Sequence, residues 1–103
     1  QFRYFECLPG GYSTLEYHEH THMVMIFRGK GQLLLGDEIH DVESGDFIEI
    51  PGKTIHQFRA NKGDYIGFLC LVNKERDKVK LLSPEEMETL QANPKIKEFL
   101  ESC

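Results

Sequence analysis

The stretch Glu16-Tyr17-His18-Glu19-His20-Thr21-His22-Met23-Val24-Met25-Ile26-Phe27-Arg28-Gly29 decides how this chain is read. It holds three of the five histidines, at every second position, with Glu16 in the same phase. Side chains of an extended strand alternate between faces, so Glu16, His18, His20 and His22 are expected to project to one side. Neutral imidazole is the commonest side-chain ligand of transition metals, and carboxylate joins it readily. An apolar, β-rich run over residues 23–27 follows at once. The pattern predicts half of a metal site at the edge of an apolar interior, and another part of the chain must supply the other half.

Composition sets the frame. A chain of 103 residues, 40% of them hydrophobic, is expected to form one domain with a core of its own. The net charge of −5 argues against nucleic acid as a partner. The one basic cluster, over residues 74–80, is interrupted by acids. Cys7, Cys70 and Cys103 are odd in number and scattered, which fits reduced thiols and neither a disulfide framework nor a cysteine-based zinc site. Cys70 sits in an apolar run and is expected to behave as a small core residue. No long apolar run and no charged-then-apolar leader occurs, so the expectation is a cytoplasmic protein with no membrane partner.

Outward from the histidines, short β-rich runs alternate with glycine, proline and acidic turns. Strands are predicted over residues 2–7, 12–17, 24–27, 32–35, 39–42, 47–50, 55–59 and 65–72. Gly36-Asp37-Glu38 forms a hairpin turn, and Arg28-Gly29-Lys30-Gly31 is expected to end the 24–27 strand. Such spacing indicates an all-β sandwich or barrel. After residue 82 the texture changes. Ser83-Pro84-Glu85-Glu86 is a helix start with serine as cap and glutamate three residues on, and Asn93-Pro94 opens a second short helix.

With these motifs in place, the chain resembles the cupins, small jelly-roll barrels that usually hold one metal ion inside. The first cupin motif generally reads His-x-His, three or four residues, Glu, six residues, Gly. Counting back from Gly29 puts His22 at the glutamate position, His18 at the second histidine and Glu16 at the first. The second motif usually reads Gly, five residues, Pro-x-Gly, two residues, His, three residues, Asn. Gly45, Pro51 and His56 match it, whereas Gly52 and Asn61 each fall one residue away from the expected place. His56 lies in a run whose even positions share a face, so His56 and Phe58 are expected to point inward together.

The resemblance implies an all-β jelly-roll barrel over about residues 1–73 with short helices over about 83–101, all within a single domain of residues 1–103. It implies one divalent transition metal (Mn, Fe, Co, Ni, Cu or Zn) held by His18, His22 and His56, with Glu16 or His20 completing the set. His20 is otherwise a pocket-lining or supporting group, and Val24, Ile26, Phe58 and Phe47 are expected to line the cavity. His40 and Glu49 are read as solvent-facing. The function expected is that of a small mononuclear metalloenzyme acting on a compact oxygenated molecule. The alternatives are a non-catalytic ligand-binding or sensor module and a purely structural barrel. Met23, Met25 and Phe27 fall on the outer face, so a homodimer through that face and the C-terminal helices is also expected.

Overall fold

A computed structural model of the chain describes residues 2–71 and 80–101. Eight strands and two helices follow one another in the chain. They are β1 (Phe2–Cys7), β2 (Glu16–Tyr17), β3 (His22–Leu35), β4 (Glu38–Glu43), β5 (Phe47–Ile50), β6 (His56–Ala60), β7 (Ile66–Leu71), β8 (Lys80–Leu81), α1 (Pro84–Gln91) and α2 (Pro94–Glu101). All pairings are antiparallel, running β1-β7-β3-β6-β2-β8 with β4 and β5 also on β3. The sheet curls into the expected jelly-roll barrel. The basic cluster over residues 74–79 and Cys103 lie outside the described residues.

The largest departure from expectation is β3. The sequence predicts two strands broken at residues 28–31, whereas one strand of 14 residues runs straight through. Its first half pairs with β5 and β7, and its second half with β4 and β6. A register irregularity between Ile26 and Arg28 shifts the phase. Before it His22, Val24 and Ile26 are buried, and after it Gly31 and Leu33 are. Gly29 adopts a φ of 85°, and a Cβ there would stand 1.5 Å from the Tyr65 carbonyl oxygen. Only glycine lets the strand bend across β7 at that point. The predicted strand over residues 12–17 also shrinks, to β2, with Tyr12 reduced to a single bridge to Arg59.

Two apolar clusters result. Inside the barrel, Val24, Ile26, Leu33, Ile50, Phe58, Ile66, Phe68 and Cys70 form the main core with Cys7 and Val42. Phe58 stacks on Phe68 with centroids 4.2 Å apart. Outside it, Leu34 meets Leu90, Ile96 and Phe99 of the helices. The helix starts form as predicted. Ser83 Oγ accepts from the Glu86 N–H at 3.2 Å, and Glu86 Oε1 accepts from the Ser83 N–H at 3.0 Å. The helices lie on the β3–β6 side, where the Arg59 guanidinium packs 4.6 Å from the Phe99 ring. No helix of the described residues is long and apolar enough to cross a membrane.

Candidate metal centre

Strand register builds the centre. β2 pairs with β6 so that Glu16 stands directly opposite His56. Directly opposed residues have Cβ atoms about 5 Å apart, within reach of a shared ion. His18 follows Glu16 by two residues, and its Nε2 lies 3.3 Å from Glu16 Oε1. Donor atoms of Glu16, His18 and His56 all lie within 4.8 Å of one another. Bond lengths of about 2.1 Å place two donors on one ion roughly 3–4 Å apart, so little closure is needed. His22, at the start of β3, is buried, with its ring tilted by 31° against that of His18 and centroids 4.0 Å apart. The His56 ring lies 5.3 Å from that of His18.

His56 is also oriented for ligation. Its Nδ1 stands 2.9 Å from the Thr54 carbonyl oxygen. A carbonyl only accepts, so Nδ1 carries the proton and Nε2 keeps its lone pair for the cavity. Burial lowers the His56 pKa further than its neighbours Thr54 and Glu16 raise it, so the neutral, ligating form is favoured. Burial raises the Glu16 carboxyl, against the opposing pull of His56 and His22. The donor set, two or three neutral imidazoles with one carboxylate, suits a divalent transition ion.

The expected alternation of residues 16–22 does not survive as one strand. β2 ends at Tyr17, and the chain bends at Glu19-His20 before β3 begins at His22. The cause lies in the residues after Pro51. Lys53 N–H donates to the His18 carbonyl, and a Cβ on Gly52 would meet the Glu19 carbonyl oxygen at 2.4 Å. His18 and His22 therefore turn inward while His20 is exposed on the bend, away from the buried lining. The missing motif glycine is explained at the same place. Gly52 provides the close approach, and Lys53 takes the left-handed conformation at φ 64°. Phe47 corrects another expectation. It pairs with Met25 on the outer face and is 65% exposed, while Ile48 and Ile50 turn in. Val24, Ile26 and Phe58 are buried in the barrel, and Glu49 and His40 are exposed.

Cys70 is the small core residue that the sequence predicts, and one exposed group beside it, Arg3, was passed over. Cys70 on β7 pairs with Val24, and its free thiol is pushed up to about 11 by burial first and then by the Glu16 charge. Arg3 stands opposite Cys70 on β1. The odd phase of residues 3, 5 and 7 was the available signal, masked by the aromatic character of the whole run.

An antiparallel curled barrel with imidazole and carboxylate donors gathered inside defines the class of protein. The chain belongs to the cupin family, whose domain model matches residues 3–72. A cupin 2 conserved barrel domain protein from Rhodopseudomonas palustris is 52% identical, with a TM-score of 0.92, covering 95% of this chain and 68% of its own. A cupin-2 domain protein of Rhodospirillum rubrum gives 44% identity and a TM-score of 0.93, covering 98% and 68%. A 1-methylthio-D-xylulose 5-phosphate methylsulfurylase of Rhodospirillum rubrum is 45% identical over 101 residues, 98% of this chain. This chain spans 65% of the length of that relative.

Proposed function

We propose that the protein is a mononuclear metal-dependent enzyme acting on a methylthio-substituted ketose phosphate or a close chemical relative of one. The observation that carries this is the convergence of Glu16, His18 and His56 on the partly buried inner side, with the His22 ring 4.0 Å from that of His18. The 45% identity to a methylsulfurylase across nearly the whole chain supplies the substrate class. A bound divalent ion would supply Lewis acidity toward a substrate carbonyl. The protein's own residues do the rest. His18, His22 and His56 would hold the ion, and the Thr54 carbonyl fixes the His56 ring through Nδ1 so that Nε2 is left to ligate. Val24, Ile26, Phe58 and Phe68 keep water from the buried side of the pocket. Glu16 completes the donor set or accepts a proton, and its raised pKa suits the second role as well. A cytoplasmic setting goes with this reading, supported by the free thiols Cys7 and Cys70.

Two measurements test it in sequence. Elemental analysis of untagged protein after reconstitution at pH 8 should give about one equivalent of a divalent metal. Incubation of that protein with 1-methylthio-D-xylulose 5-phosphate should consume the substrate, followed by mass spectrometry. No metal after reconstitution leaves a structural barrel. Metal and ligand binding without turnover leaves a sensor module.

A further inference from the structure

The substrate class proposed above carries a phosphate dianion, while the donor group itself offers a carboxylate and neutral imidazoles. Such a ligand calls for a cation facing the same cavity. On β1, Phe5 stacks on the interior residue Phe68 at 5.6 Å and Cys7 belongs to the core, so odd positions face inward. Tyr4, edge-on to Phe27 at 6.2 Å, marks the even, outer face. Arg3 shares the inward phase. Register carries it on toward the site, with Arg3 opposite Cys70, Cys70 opposite Val24, and Val24 two residues from His22 on the same face. Two strand spacings, about 9–10 Å, therefore separate the Arg3 backbone from that of Val24.

The charges of Glu16 and Arg3 act in opposite senses on the Cys70 thiol, in keeping with the register that sets Arg3 beside it. Phe5 is 45% exposed although it stacks on Phe68, and Arg3 is exposed as well, so this face of β1 is open to solvent. The other described arginines are engaged elsewhere. Arg28 donates to Tyr65 Oη at 2.7 Å on the outer face, and Arg59 lies beneath Phe99 of α2. Among the described residues the Arg3 guanidinium forms no ion pair or hydrogen bond.

We propose that Arg3 is the anion anchor of the site, holding the substrate phosphate at the barrel mouth while the Glu16–His18–His56 group receives the carbonyl end. The choice of phosphate rests on the substrate class proposed above. The guanidinium fork matches a phosphate with two parallel, charge-assisted hydrogen bonds, and an extended five-carbon ketose phosphate bridges anchor and donor group.

Calorimetric binding of D-xylulose 5-phosphate and of D-xylulose to the protein as purified tests the anchor without requiring turnover. The wild type should prefer the phosphate ester. Arg3→Gln should remove about ten- to a hundredfold of that preference, with metal content and free-sugar binding unchanged. Arg3→Lys should keep part of it, because the charge persists without the fork. An absent preference in the wild type, or one retained in Arg3→Gln, overturns the assignment. Turnover is scored separately. A protein that discriminates through Arg3 but leaves 1-methylthio-D-xylulose 5-phosphate intact defeats the enzyme reading and leaves the anchor standing.

Discussion

At the scale of single residues, the centre depends on which nitrogen each histidine offers and in which protonation state. His56→Ala and His18→Ala should each reduce bound metal well below half an equivalent, whereas His40→Ala, on the exposed hairpin strand, should leave it unchanged. Elemental analysis of the three variants reads this directly. Metal retention in His56→Ala would remove His56 from the ligand set. Protons compete with the ion, so affinity should fall as pH drops below about 6.5, the ordinary histidine value. The metal-free protein has its own pH dependence. Burial depresses the folded-state pKa of His56, so its contribution to stability is full above the unfolded value and is lost as pH falls through the folded one. Glu16 is shifted upward and works in the opposite direction, at lower pH. Urea midpoints should therefore fall between pH 7.5 and pH 5.5, and His56→Leu should flatten that slope. The grouping of Glu16, His18 and His56, with His22 beside His18, was legible in the sequence, because motif spacing singles out these four residues. The place of His20 was not, because a bend fixed by Gly52 and Lys53 is a tertiary event that alternation does not reveal.

At the scale of elements, β3 and the helices mark the two extremes of legibility. The capping box at Ser83 and the Asn93-Pro94 start are local signals, and α1 and α2 begin where those signals stand. The continuity of β3 has no local signal. Two glycines within four residues ordinarily punctuate a strand, and here they let one strand serve both halves of the barrel because the chain entering β7 comes close at Gly29 and β6 comes close at Gly31. Gly29→Ala tests that account. The new Cβ must occupy a positive-φ conformation and displace the Tyr65 backbone, so the barrel should lose about 2–4 kcal/mol of stability in urea unfolding. A loss under about 0.5 kcal/mol, the range of ordinary surface changes, would show that the strand bends by another route. Lys53→Gly should move the other way, by up to about 1 kcal/mol, because it relieves a left-handed lysine at the cost of added chain entropy.

At the scale of the whole molecule, the outer face of the β1-β7-β3-β5 layer lacks a cover among the described residues. Phe2, Tyr4, Met25, Phe27, Phe47 and Leu71 are all exposed there, Phe2 by 73% and Phe47 by 65%. Cross-strand register makes them neighbours, with Phe2 beside Leu71 and Met25 beside Phe47. Both intramolecular covers open to a sequence reading are used otherwise. β1 lies within this layer beside β7, and the helices pack on the opposite side over Leu34. We propose that a second copy of the chain covers the face. Scaled by their exposed fractions, aromatic and large apolar side chains of about 200 Å² each give the six residues on the order of 600–700 Å². Standard interfaces bury about 800 Å² on each partner, so a rim of neighbouring polar atoms would complete the patch. A twofold axis needs only a self-complementary surface, which a flat face mixing aromatic rings and Met25 provides. Leaving such side chains in water forfeits roughly 1.5–3 kcal/mol for each one that burial would cover. Sedimentation at micromolar concentration should therefore give a dimer. Met25→Glu places a carboxylate at the centre of the patch and should yield monomers that still bind metal, because Met25 faces away from His22 and Val24. A wild type that stays monomeric as concentration rises would end the proposal.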